Sequence, residues 1–107
     1  MVEESIVRLV RTYLSVLNEN GIPVAFGVVF GSQATGRTHK WSDIDLLVVS
    51  PKFDGRKDRE EIHKLWIKAG PIDDRIEPIP CGEVEWREDD SRAIVEMARR
   101  EGEIIYP

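Results

Sequence analysis

The chain has 107 residues and a mass of 12.2 kDa, with 41% hydrophobic and 33% charged residues; that suffices for one domain over residues 1–107 with its own core, but not for a catalytic domain plus a separate substrate domain. Fifteen Lys and Arg against 20 Asp and Glu give a net charge of −5, which argues against a protein whose main task is gripping nucleic acid by its phosphates, while leaving room for a local basic pocket for one nucleotide. No apolar run is long enough for a bilayer, Met1-Val2-Glu3-Glu4 lacks a signal-peptide layout, and the single cysteine, Cys81, allows neither an intrachain disulfide nor a cysteine-based zinc site, so a cytoplasmic protein is expected.

In chain order, residues 3–18 carry Ile6, Leu9, Val10, Tyr13, Leu14 and Leu17 three and four apart, which predicts an amphipathic helix ended by Asn20-Gly21 and Pro23. Val24 to Phe30 is a short, almost wholly apolar run and reads as a strand buried on both faces. Gly31 to Ser42 is polar, a loop or a short helical turn. Asp43 to Ser50 returns to strand character through Ile44, Leu46, Leu47, Val48 and Val49.

Pro51 to Arg56 is a connection, and a second helix is expected from Lys57 to Ala69, with Ile62, Leu65, Trp66 and Ala69 facing the core. Asp74 to Ile79 is a third strand, placed at a sheet edge or a bulge by Pro78. The charged stretch Glu83 to Asp90 reads as solvated surface. Asp90 or Ser91 can cap a last helix that carries Ile94, Met97 and Ala98, and Glu103 to Tyr106 is a final short strand. The resulting order, α-β-β-α-β-α with a terminal β, predicts an α/β (α+β) protein: a small mixed sheet packed with helices in two or three layers.

The chemistry concentrates in the stretch from Phe30 to Val48. Residues two apart on a strand share a face, so Asp43 and Asp45 aim two carboxylates at one place while Ile44 and Leu46 point to the core. Close carboxylates repel unless a cation lies between them, and oxygen-only ligands suit Mg²⁺, which fills the rest of its shell with water and substrate phosphates. Gly31-Ser32 follows the preceding strand directly; glycine permits close backbone approach to a ligand, a helical turn presents N–H groups to an anion, and the serine hydroxyl adds a phosphate contact. Arg37 and Lys40 lie between the two ends and are placed to neutralise further phosphate charge, or else are solvated loop residues.

Other side chains read more plainly. His39 and His63 are expected at the surface, Trp41 packs its loop, Trp66 belongs to the core, and Cys81 has no base beside it to activate the thiol. Arg75 alternates with Glu77 and is expected to pair with it.

Gly31-Ser32, ten intervening residues and then Asp43-Ile44-Asp45, with Ala34, Gly36 and Ser42 in support, resemble the signature of the DNA polymerase β-like nucleotidyltransferases. Within that superfamily the chain is similar to the small stand-alone minimal nucleotidyltransferases, related to antitoxins paired with a HEPN-domain protein. The motif covers about a fifth of the chain, and the element order extends the likeness over nearly all of it. The resemblance implies an enzyme that transfers a nucleoside monophosphate from a nucleoside triphosphate, with ATP the expected donor, to an acceptor hydroxyl, releasing pyrophosphate. It also implies two Mg²⁺ ions between three carboxylates, with Asp43 and Asp45 the first two and Gly31 and Ser32 holding the triphosphate.

The resemblance puts the third carboxylate on the next core strand. Glu77, between Ile76 and Ile79, is favoured, and Asp74 is the rival. Such a short chain has no room for the extra domain with which larger relatives bind a small-molecule acceptor, so the acceptor surface must come from elsewhere: a HEPN-type partner, or a second copy in a homo-oligomer. Membrane is not an expected partner, nor is nucleic acid an expected direct substrate. The competing reading is a non-catalytic module that neutralises a partner protein by covering it.

Overall fold

The computed structural model describes residues 2–36 and 42–107. Its elements are α1 (Glu4–Glu19), β1 (Phe26–Phe30), a one-turn helix α2 (Ser32–Thr35), β2 (Ile44–Val49), a 3-10 turn (Pro51–Phe53), α3 (Arg59–Ala69), β3 (Ile76–Cys81), α4 (Glu83–Glu88), α5 (Ala93–Glu101) and β4 (Glu103–Ile105). The four strands form one mixed sheet in the order β3-β2-β1-β4. β1 is antiparallel to both β2 and β4, and β2 is parallel to β3 across the α3 crossover.

Both faces of the sheet are covered, so the architecture has three layers. Ile44, Leu46 and Val48 of β2 and Val29 of β1 pack with α1 and α3, while Leu47 and Val49, with Val28 and Phe30, pack with Val95 and Ala98 of α5. This is the strand alternation expected of a central strand buried on both sides. α1 buries Ile6, Val10, Tyr13, Leu14 and Leu17. Its Tyr13 hydroxyl donates to the Leu65 carbonyl of α3 at 2.7 Å, satisfying a buried polar group and tying the two helices together.

β3 lies at a sheet edge, where Pro78 had suggested a strand would be. The Ile44 N–H donates to the Arg75 carbonyl at 2.8 Å and the Ser50 N–H to the Cys81 carbonyl at 3.0 Å. Alternation therefore turns the odd-numbered residues of β3 toward β2 and the even-numbered ones, including Pro78 and Pro80, outward. Both prolines miss an N–H only on the open side, so the inner ladder is intact and the outer edge is a poor template for another strand.

Several local expectations are corrected. The third strand starts at Ile76 and ends at Cys81, two residues later than expected at each end. Trp66 is not core: it is 50% exposed, because Leu65 and Ala69 set the inward face of α3 and Trp66 stands about 100° round the helix from Leu65. On α5 the inward pair is Val95 and Ala98, which leaves Ile94 and Met97 partly exposed. Neither Asp90 nor Ser91 caps α5; Arg92 holds that position without a side-chain cap, and the Asp89 carboxylate accepts the Ser91 N–H instead.

The stretch Glu83 to Asp90 is surface as expected, with no buried residue in Glu83–Glu88, but those residues form helix α4. Glu85 turns inward, pairing with Lys57 at 3.2 Å and Arg92 at 2.8 Å and accepting the Gly82 N–H. Asp54, from the loop after the 3-10 turn, accepts the Val84 and Glu85 N–H groups and so caps α4 from outside.

Candidate active site

Antiparallel pairing of β1 with β2 puts Phe30 opposite Asp45, so the chain leaves β1 at Gly31 beside the residues that open β2. Parallel pairing of β2 with β3 puts Asp45 opposite Glu77. Asp43, two residues before Asp45, falls on the same side of the chain. The two strand starts thus gather Asp43, Asp45 and Glu77 at one end of the sheet, beside the turn Gly31–Ser32. Asp74 is elsewhere: it lies exposed in the turn before β3.

The three carboxylates sense one another. Burial raises the Asp45 pKa above its ordinary value, and the charge of Asp43 raises it further, against a lowering hydrogen bond from Glu77. Burial likewise raises Glu77, followed by the charges of Asp43 and Asp45 and by hydrogen bonds shared with both. Like charges placed side by side across a sheet are destabilising, so the row is costly to the fold at neutral pH. Its donors are all hard oxygens, the set that suits Mg²⁺. Among the described residues the carboxylates are neighbours rather than a finished cage, since no three His, Cys, Asp or Glu side chains form a cluster that would hold an ion as it stands. Water and substrate oxygens commonly complete a Mg²⁺ shell.

Gly31 has a positive φ, 71°, and a Cβ here would overlap the Asp45 carboxylate. The close approach that glycine allows is thus first of all to a side chain of the site itself. Ser32 opens α2, a turn closed by the Ala34 and Thr35 N–H groups and the Thr35 hydroxyl, all donating to the Gly31 carbonyl. Arg37 and Lys40, together with His39 and Trp41, lie outside the described residues.

Arg75 does not pair with Glu77. Its guanidinium holds Asp73 through two contacts, 3.0 Å and 2.8 Å, which keeps the Asp73 carboxyl below its ordinary range and leaves Glu77 to the aspartates. His63 is exposed. Cys81 is buried, and burial followed by the Glu85 charge pushes its thiol up to about 12, so it stays protonated and inert at neutral pH.

One residue of the site escaped sequence reasoning. Gln33 is only 6% exposed, and its side-chain amide donates to the Ser42 carbonyl at 3.2 Å. A polar residue in a polar stretch gives no sign of burial; only its contact with Ser42, just before β2, reveals it.

The family model for the nucleotidyltransferase domain matches residues 10–101. The chain belongs to the nucleotidyltransferase domain family. No curated protein matches it in sequence. Among solved structures, the crystal structure of a toxin-antitoxin with AMP-PNP is similar in fold, with a TM-score of 0.61 and 20% identity, over 90% of this chain and 72% of that one. The mixed sheet packed with helices is accordingly a nucleotidyltransferase fold, and among the described residues of this family member no helix is long and apolar enough to cross a membrane.

Proposed function

We propose that this nucleotidyltransferase moves a nucleoside monophosphate, AMP from ATP, onto a hydroxyl of a partner protein, within a toxin-antitoxin pair. The observation that carries the reading is the row Asp43, Asp45 and Glu77 at the strand starts, placed beside the Gly31–Ser32 turn by the sheet register. Asp43, Asp45 and Glu77 would hold Mg²⁺, which when bound neutralises phosphate charge and polarises the reacting oxygens. Gly31 and Ser32 would hold the triphosphate through backbone N–H groups and the serine hydroxyl, with Arg37 and Lys40 supplying further positive charge. The acceptor oxygen bonds to the α-phosphorus, the bond to the β-phosphate oxygen breaks, pyrophosphate leaves, and the hydroxyl proton passes to a carboxylate of the row. Catalysis of this kind is mostly positioning and charge neutralisation.

The acceptor is proposed to sit on a partner of HEPN type, on two grounds: the sequence resemblance, and the toxin-antitoxin fold neighbour that carries a nucleotide analogue. A second reading, a module that neutralises its partner by covering it, draws on another observation. α3 exposes Trp66 and Ile67, and a recess of about 530 Å³ lined by Arg59, Glu60, Ile62, His63 and Trp66 runs along the same helix. Beside it, Arg56, Lys57, Asp58 and Arg59 line a cavity of about 450 Å³. Neither recess is lined by Asp43, Asp45 or Glu77, so a partner could be held without use of the catalytic row.

Calorimetric titration of nucleoside triphosphates with and without Mg²⁺ tests the first reading. Wild type should bind in a Mg²⁺-dependent way and the Asp43→Asn/Asp45→Asn double variant should not. Equal binding by the two proteins overturns the assignment. Neutralisation of the partner by an Asp43→Asn protein would favour the covering module.

A further inference from the structure

We infer that Gln33 is a positioning residue that fixes the distance between the triphosphate-holding turn and the first carboxylate; this rests on the nucleotidyltransferase reading above. The turn is tied to the start of β2 at two points. One is the close approach of the Asp45 carboxylate to Gly31, which a Cβ at that position would push aside. The other is the Gln33 amide, which reaches across nine positions of the chain to the carbonyl of Ser42, the residue immediately before Asp43. Gln33 and Ser42 are both buried, at 6% and 7% exposure, so the bond is shielded from water and holds its geometry.

The two ties have different work. At Gly31 the turn lies against Asp45, whose own place is set by its pairing with Phe30. The Gln33 bond acts on the backbone at Ser42 and hence on Asp43, which precedes the strand and lacks the ladder that holds Asp45. A buried amide is a costly way to close a loop, since it must be desolvated, whereas an apolar residue would fill the same space more simply. The donor is explained if the register between Ser32 and Asp43 matters: phosphate groups held at one and a cation held at the other must meet on one substrate.

The test uses Gln33→Met, which keeps the length and removes the donor, and Gln33→Asn, which keeps the amide but shortens the arm by one methylene and puts the fold at less risk. Triphosphate affinity is measured by calorimetry at several Mg²⁺ concentrations, alongside thermal melts. Both variants should bind about 10–100-fold more weakly than wild type, with the half-saturating Mg²⁺ concentration shifted upward. A merely structural role would lower the melting temperature and leave both the affinity of the folded protein and the Mg²⁺ midpoint unchanged; that outcome overturns the inference. If wild type binds and both variants match it, the inference falls alone. If wild type binds no triphosphate, the reading of the site falls and the role of Gln33 falls with it.

Discussion

Asp45 and Glu77 stand directly opposite each other across the parallel β2–β3 pair, two acids where a sheet would ordinarily place a neutral or oppositely charged couple. Both have pKa values raised by burial and then by neighbouring negative charge. An acid that binds protons more tightly when folded costs nothing below its ordinary pKa, where both states are protonated. The cost grows as pH rises through the raised folded value and is fully present above it. Asp45→Asn should therefore stabilise the protein at pH 7 by about 0.5–2 kcal/mol while abolishing Mg²⁺-dependent triphosphate binding. Urea unfolding at pH 7 and pH 3 checks this: the gain should be present at pH 7 and vanish at pH 3. A destabilised variant at pH 7 would show that the row is not under electrostatic strain.

The same pairing separates the two candidates for the third carboxylate. Glu77 faces Asp45 in register and is coupled to both aspartates, whereas Asp74 lies in the turn before β3. Glu77→Gln should impair triphosphate binding or transfer by at least about tenfold, and Asp74→Asn should leave it close to wild type. The reverse order would move the third ligand to Asp74.

Gly31 and Gly36 both have positive φ, 71° and 79°, but Gly36 is left-handed helical, whereas Gly31, with ψ −147°, lies in a region essentially confined to glycine, and only at Gly31 does a Cβ meet another group. Gly36→Ala should cost about 1–2 kcal/mol, the price of the backbone conformation. Gly31→Ala should cost about 2–4 kcal/mol, because its φ and ψ are essentially confined to glycine, and by pushing the Asp45 carboxylate aside it should weaken triphosphate binding as well. Denaturant midpoints of the pair check the difference; equal losses would mean that the backbone at Gly31 relaxes when alanine replaces glycine.

Glu85 is the opposite electrostatic case. Burial acts to raise its pKa, but the Gly82 N–H, Arg92 and Lys57 outweigh burial and hold it below its ordinary 4.5. A depressed acid stabilises the fold above the unfolded-state value, and that contribution is lost as pH falls through the lower folded value. Wild type should lose stability below about pH 4.5 partly through this residue. Glu85→Gln should be less stable by about 1–3 kcal/mol at pH 7 and should show a shallower acid limb. Parallel acid limbs in the two proteins would remove Glu85 from the account.

The two faces of α3 make a further contrast. Leu65 is fully buried and Trp66 is 50% exposed. Leu65→Ala should cost about 2–5 kcal/mol. Trp66→Ala should change stability by less than about 1 kcal/mol, which makes it the cleaner probe of partner binding. A large loss from Trp66→Ala would show that the indole supports the fold after all.

The sequence by itself determined most of the elements, though not α4, and marked out the residues proposed to carry chemistry. Periodicity placed α1 and α3, apolar runs placed β1 and β2, and Pro78 marked an edge strand, because these signals are local and each element must bury one face or two. The spacing of Gly31-Ser32 and Asp43-Ile44-Asp45 was legible for the same reason: residues on one turn and one strand start need no distant partner to be read. Helix faces were read to within one residue, which suffices for the inward role of Leu65 and not for the exposure of Trp66, since about 100° separates them. The tertiary structure decided what depends on register. Only the parallel pairing of β2 and β3 sets Glu77 rather than Asp74 beside Asp45, and only the fold of the turn onto β2 buries the Gln33 amide against Ser42. Pairing across strands separated by a helix is fixed by the packing of both sheet faces at once, and no stretch of neighbouring residues contains that information.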